Sequence, residues 1–396
     1  MHQAALQPDG GGERPLFPRG QGVVALDRAT VPGHLWRAES GKVRCLACGH
    51  RCLIAPGRRG VCKVRFNQDG VLRVPFGYVS GVACDPIEKK PFFHVLPGSD
   101  ALTFGMLGCD FHCSYCQNWI TSQALRDPAA TTSRMEAATP EQLVGAARRC
   151  GASLVVTSYN EPLITAEWAA AVFEPAKTAG FLCAFVSNGN ATPEALDFLA
   201  PWLAACKVDL KTFNDRQYRT LGGTLNHITE TIRMVHARGI WLEVLTLLVP
   251  GFNDDEAELR DLTRFVAGIS PDIPWHVTAF HPDYQMTAPR ATTARDLIRA
   301  AELGVAAGLR HVYAGNLPGR VGEWEDTRCP ACRETLVRRQ GFTVLENRLD
   351  REGQCPQCGR RVPGIWQPPH GGVPQNPEIR PAWNRMPRRV RMEGRT

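Results

Sequence analysis

The chain has 396 residues, 43% of them hydrophobic, and a net charge of +7. That is enough for one large domain with small modules attached. No run of 18 apolar residues occurs, and the start "MHQAALQPDGGGERPLFPRGQG" lacks a basic segment followed by an apolar one. A membrane span and a secretory signal are therefore not expected, and the chain reads as cytoplasmic.

Residues 1–35 are rich in Gly and Pro and read as disordered. Residues 36–100 mix cysteines, glycines and short β-rich runs, and read as a Cys-rich N-terminal module. From 101 to 320 the pattern turns regular. "ALTFGML" reads as a strand that runs directly into a cysteine loop. "TPEQLVGAARRCG" opens a helix, with Thr139 as N-cap and Pro140 in the first turn. The strand "SLVVTSYNEP", the helix "TAEWAAAVFEPAKTAG" and the strand "LCAFVSNGN" follow. Next come the helix "TPEALDFLAPWL", the strand "ACKVDLK", the helix "LNHITETIRMVHARG" and the strand "IWLEVLTLLVPGFND". The helix "DEAELRDLTRFVAG", the strand "PWHVTAFHP", the helix "TARDLIRAAELGVAAG" and the closing strand "HVYAGN" complete the series. This alternation predicts an α/β fold of parallel strands with right-handed crossovers. The strands are continuous apolar runs, as in a sheet covered on both faces. Polar residues collect at their C-terminal ends, where barrel-like α/β folds build chemistry. A doubly wound sheet would give a similar string, but its Gly-rich fingerprint is absent. Residues 321–366 read as a zinc-ribbon-like module. Residues 367–396 read as a disordered basic tail, the last twenty carrying six arginines against two glutamates.

In a reducing compartment, fifteen cysteines point to metal sites rather than disulfides. They cluster. Cys109, Cys113 and Cys116 form C-x3-C-x2-C in "GCDFHCSYCQNW". A structural zinc needs four ligands, and His112 would have to be the fourth. A [4Fe–4S] cluster on three thiolates keeps one iron open for a chelating small molecule. The position of the loop, after the first strand of the β/α series, favours the cluster. Cys329, Cys332, Cys355 and Cys358 form two facing C-x2-C knuckles, a zinc-ribbon arrangement. Cys45, Cys48, Cys52 and Cys62 are less regular; structural zinc is the first reading and an auxiliary cluster the rival. His50 or Cys84 would complete an alternative ligand set there. Cys150, Cys183 and Cys206 read as small core residues.

The loop, with Tyr115 before its last cysteine, resembles the radical S-adenosylmethionine (SAM) superfamily. Residues 40–366 resemble one subgroup, the AmmeMemoRadiSam-system enzymes, described as pyruvate formate-lyase-activating-enzyme-like. The segments that carry this are "CLACGHRCLIAPGRRGVC", "DPIEKKPFFHVLPGS", "GCDFHCSYCQNW", "TSYNEP", "SNGN", "KVDLK", "LLVPGFND", "WHVTAFHP" and "YAGNLPG". The resemblance implies a partial (β/α)6 TIM-type barrel. It implies a [4Fe–4S] cluster on Cys109, Cys113 and Cys116, with SAM chelating the open iron. It implies a 5′-deoxyadenosyl radical that abstracts hydrogen from a protein, peptide or small molecule. Asn160, Glu161, Ser187, Asn188, Asp209, Lys211, His281, Tyr115 and Gln117 are then the expected cofactor-binding residues. The family more often has Gly-Gly-Glu where Tyr159-Asn160-Glu161 stands here. A flavodoxin- or ferredoxin-like one-electron donor is the expected partner, with partner proteins of the same system. A glycyl-radical activase is one alternative. Another class is a zinc-ribbon protein that binds nucleic acid through Trp324, Trp366, Trp383 and the basic tail. It gives no account of the three-cysteine loop.

Overall fold

The computed structural model describes residues 26–130, 134–368 and 387–390. Among them, nine strands make the main sheet: β1 (Gly81–Pro86), β2 (Asp100–Gly105), β3 (Leu154–Thr157), β4 (Leu182–Ser187), β5 (Ala205–Asp209), β6 (Trp241–Leu248), β7 (Trp275–Ala279), β8 (Val312–Gly315) and β9 (Arg388–Arg389). Their order is β8-β7-β6-β5-β4-β3-β2-β1-β9. The seven from β2 to β8 are parallel, in registers such as Thr157 with Phe104 and Ser187 with Val208. β1 runs antiparallel to β2, and β9 antiparallel to β1. Each parallel strand is added on the same side as the one before. A doubly wound sheet reverses direction instead, so that alternative is set aside.

Helices α1 (Pro140–Cys150), α2 (Ala166–Thr178), α3 (Pro193–Leu199), α4 (Asp215–Leu221), α5 (Leu225–Ala237), α6 (Glu256–Ile269) and α7 (Ala294–Ala306) make the crossovers. Their starts are chemically marked. Thr139 forms a capping box with Gln142, Thr192 caps Ala195, and Thr293 forms a box with Asp296. Only α4 lacked a sequence expectation; Asn214 caps it through the N–H groups of Arg216 and Gln217.

Strand residues alternate between two faces. Leu102, Phe104, Val155, Phe185, Val208 and Val244 join the helical core with Trp168, Phe173 and Ile232. The opposite face offers small residues, Ala101, Ala184 and Ala205, and is filled by Ile87, Phe92, Val95 and Leu96. The segment "DPIEKKPFFHVLPGS" is therefore a plug. Its backbone N–H groups at Phe93 and His94 donate to Glu243 at 3.0 and 2.9 Å. His276 Nε2 meets the same carboxylate at 2.6 Å, and His94 Nε2 meets the Tyr313 hydroxyl at 2.6 Å.

The N-terminal module holds two three-stranded sheets. One pairs Thr30–Pro32, Val71–Pro75 and Phe66–Gln68; the other pairs Trp36–Glu39, Lys42–Cys45 and Leu53–Ile54. Of the segment read as disordered, residues 1–25 lie outside the described residues, whereas Thr30–Pro32 is a paired strand. An ion pair locks the module to α2: Arg65 and Glu167 are 1% and 3% exposed and meet through two hydrogen bonds of 2.8 and 2.7 Å. The C-terminal module is a three-stranded hairpin sheet of Thr327–Arg328, Thr335–Gln340 and Thr343–Asn347. It docks on the plug, with Arg339 over the Phe93 ring at 4.2 Å and bonded to the Phe93 carbonyl at 2.8 Å. Most of the tail read as disordered and basic, residues 369–386 and 391–396, lies outside the described residues. No helix among the described residues is long and apolar enough to cross a membrane.

Candidate active site

The cysteine loop leaves β2 through Gly108. Its φ of +91° is left-handed, and a Cβ there would stand 2.7 Å from Val64 Cγ1 and 3.1 Å from the Cys62 carbonyl. Glycine lets the loop lie directly on the N-terminal module. The Gly108 N–H bonds the Thr121 carbonyl at 3.0 Å and closes the loop. Cys113 is buried, and Cys109 and Cys116 are half-buried. Phe111 N–H donates to Cys109 Sγ at 3.4 Å, and Cys116 Sγ lies 3.2 Å from Ser122 Oγ. Burial pushes all three thiols up, Cys113 to about 12, against the downward pull of Lys211 on Cys113 and Cys116. Buried sulfurs of this kind become thiolates when positive metal replaces their protons, so the donor set fits an iron–sulfur cluster. His112 does not join them. It is exposed and packs on Gly222, where a Cβ would come within 2.7 Å of its Nδ1.

The rim closes around the loop. Glu161, 2% exposed, follows β3 and accepts from Leu163 N–H, Ser187 Oγ and Asn188 N–H at 3.0, 2.8 and 2.7 Å. Burial, then the charge of Asp110, pushes its carboxyl up to about 8. Asn160 Oδ1 accepts from Met106 N–H at 3.1 Å, so it ties the rim to the start of the loop. Tyr159, at φ +69°, turns away and donates to Asp85 Oδ2 at 2.5 Å, under Lys90, whose Nζ lies 4.2 Å from the ring centre. Tyr159 thus ties the end of β3 to the Asp-Pro-Ile-Glu-Lys-Lys segment.

After β5, Asp209 lies between two lysines. It pairs with Lys211 Nζ at 3.3 Å and with Lys207. Burial would raise Asp209, but both lysines hold it below the usual carboxylate range. Burial opposes charge on Lys211, yet Asp209 and Cys113 keep it protonated. Gln117 Nε2 and His281 Nε2 meet at 3.0 Å. Tyr115 is 4% exposed and sets its ring edge-on to Phe252 at 5.8 Å. The loop after β7 lies over the cysteines: Gln285 N–H bonds the Ser114 carbonyl at 2.9 Å, and Tyr284 stacks on Trp119 at 5.0 Å.

Two residues here escaped the sequence reading. Asp110, fully buried, accepts from the side-chain amides of Asn188 and Asn190, both at 2.8 Å. Lys207 is the second cation on Asp209. The signals were present: a lone acid inside the cysteine loop, and a lysine in step with Asp209 and Lys211 at intervals of two.

The four C-terminal cysteines come together. Cys329 and Cys358 sulfurs lie 3.5 Å apart, Cys332 and Cys355 3.6 Å, and all four fall within 4.8 Å of one another. Against burial, the N–H groups of Cys332 and Ala331 pull Cys329 down to about 7. Four sulfurs this close make a ligand set that fits one ion. Of the N-terminal four, Cys45, Cys48 and Cys62 are buried and Cys52 half-buried. The His50 ring stands edge-on to Phe111 at 6.4 Å. Cys84 lies elsewhere, on β1, hydrogen-bonded to Cys150 and 3.4 Å from Arg388. Cys150 is half-buried beside it rather than sealed in the core, while Cys183 and Cys206 are core.

The radical SAM superfamily pattern matches residues 104–263, which run from β2 into α6 and include the cysteine loop and most of the rim. An uncharacterized protein of Methanocaldococcus jannaschii is 35% identical over 329 residues, covering 82% of this chain and 96% of the relative. The isethionate sulfite-lyase activating enzyme of Oleidesulfovibrio alaskensis is 26% identical over 128 residues, 31% of this chain and 41% of that enzyme. A domain of pyruvate-formate lyase-activating enzyme from Bacteroides vulgatus overlies 41% of this chain and 99% of its own at 18% identity, with a TM-score of 0.37. The matched pattern and the cysteine loop inside it agree: the chain belongs to the radical SAM superfamily.

Proposed function

We propose that the chain is a radical SAM enzyme whose reaction centre is the loop of Cys109, Cys113 and Cys116. Membership of the superfamily implies a [4Fe–4S] cluster and SAM. The observation that carries the reading is the gathering of the three loop thiols, Glu161, Ser187, Asn188, Asp209 and Lys211 at one end of a parallel sheet. When bound, the reduced cluster and SAM supply a 5′-deoxyadenosyl radical that takes hydrogen from the substrate. The residues of this chain bind, orient and exclude competing reactions. Lys211 suits the carboxylate of SAM, and the half-buried Asp209 suits a cation or ribose hydroxyls. Gln117 and His281 supply polar contacts beside the loop. The seven-strand parallel series, built in one direction, supports a partial barrel of the (β/α)6 type. The AmmeMemoRadiSam system remains the subgroup we favour, with a flavodoxin- or ferredoxin-like electron donor and a cytoplasmic setting.

A glycyl-radical activase is the second reading; the match to an activating enzyme across a third of the chain supports its activase part. The nucleic-acid reading loses support at the ribbon. Arg339 is spent on Phe93 and Thr327, and Trp366 Nε1 donates to the Val362 carbonyl at 2.7 Å. Trp324 is half-buried, and Trp383 lies outside the described residues. The test is EPR of the anaerobically reconstituted, reduced protein with and without SAM. A [4Fe–4S]⁺ signal that shifts with SAM, the shift being lost in Cys113→Ala, is the expected result. A spectrum indifferent to SAM overturns the proposal.

A further inference from the structure

The N-terminal cysteines are spaced unlike those of the ribbon. In the ribbon, sulfurs touch in pairs at 3.5 and 3.6 Å, the separation that one tetrahedral ion imposes. The Cys45 N–H bonds the Cys52 carbonyl at 2.9 Å, and a Cβ on Gly60, two residues before Cys62, would stand 3.4 Å from Cys52 Sγ. Yet the compact four-ligand group among the described residues is the ribbon's alone. Cys109, Cys113 and Cys116, gathered in one loop, likewise form no compact set. Thiolates on a cubane bind separate irons, which holds their sulfurs apart.

Three further observations agree. Val61 N–H donates to Cys52 Sγ at 3.4 Å, as Phe111 N–H does to Cys109 Sγ at 3.4 Å. Cys45, Cys48 and Cys62 are 5%, 7% and 6% exposed, a dry site that suits a cluster. The group also abuts the reaction-centre loop. Arg126 joins them by bonding the Val61 carbonyl at 2.6 Å and the Phe111 carbonyl at 2.9 Å, and Gly108 lies on the Cys62 carbonyl.

We infer that Cys45, Cys48, Cys52 and Cys62 hold a second [4Fe–4S] cluster, side by side with the loop cluster, rather than zinc. Four protein ligands leave it no open iron, so it does not chelate a small molecule. The test is the metal content of the full chain after anaerobic reconstitution, in wild type and in the triple variant Cys109→Ala/Cys113→Ala/Cys116→Ala. That variant leaves the N-terminal group intact. Wild type is expected to carry ~8 irons and the triple variant ~4, with ~1 zinc in both. The iron retained in the triple variant is expected to give a reduced EPR signal that ignores SAM. A second variant, Cys48→Ala/Cys62→Ala, is expected to retain the SAM-responsive signal and lose the other. A triple variant free of iron, with or without a second zinc, overturns the inference. The result does not depend on whether the loop binds SAM, so the two readings fail separately.

Discussion

Asp110 shows how one side chain can hold a reaction centre together. It sits between a cysteine and an aromatic residue in the loop, and its carboxylate accepts from two asparagine amides after β4. Its charge also bears on Glu161. Replacing it by Ala leaves two buried amides unpaired, at about 1–3 kcal/mol each. Asp110→Ala should therefore lower the melting temperature, and chemical denaturation will measure by how much. Gly108→Ala meets both a left-handed φ and two close contacts. A loss of about 2 kcal/mol or more is expected, with easier proteolytic cleavage between the N-terminal module and the loop. If Gly108→Ala is as stable as wild type, the loop is not seated on Cys62 as described.

Among the elements, the strands and helices were legible because each carries its own signal: apolar runs for buried parallel strands and Thr-Pro openings for α1 and α3. Helix α4 was hidden because its seven residues are mostly polar and its cap is a loop asparagine. β1 was legible only as part of a β-rich run in the N-terminal module; its place in the main sheet was hidden because it pairs antiparallel with β2, outside the β/α rhythm. The cysteine loop was legible from spacing alone. The Asp110–Asn188–Asn190 network was not, since its partners lie about eighty positions apart and only the fold unites them. The plug belongs to this scale too. His311 is 2% exposed against His94, and burial, then Arg310, pushes it down to about 4. Its unfolded value is about 6.5. The unfolded chain therefore takes the proton first, and stability is lost as pH falls from 6.5 towards 4, by about 3 kcal/mol from this group. His94 and His276 are lowered too, with the same sign. His311→Gln should flatten the acid side of a stability–pH curve; an unchanged curve would count against the buried cluster.

Across the whole molecule, both cysteine modules are anchored by buried cations, one to helix α2 and one to the plug. Arg65 reaches Glu167 on α2, and the N–H groups of His34 and Leu35 use the same carboxylate at 3.1 and 3.2 Å. Breaking such a pair from one side strands a buried charge. Arg65→Met should cost about 3–5 kcal/mol, read by denaturant unfolding of the full chain. At the other end, treatment with a chelator should release residues 327–366 to protease while the sheet stays folded. Loss of the whole fold would instead show that Arg339 and the plug depend on the metal.

The strand Arg388–Arg389 covers β1, hydrogen-bonding along Ala83 and Cys84, while the Arg388 guanidinium reaches Asp100 at 3.0 Å and the Cys150 carbonyl at 3.1 Å. Uncovered, β1 would offer a row of free amides to any passing chain, the template on which sheets join edge to edge. Two charged residues from the far end of the chain act as a selvedge, keeping the fabric of the sheet from being extended by a stranger.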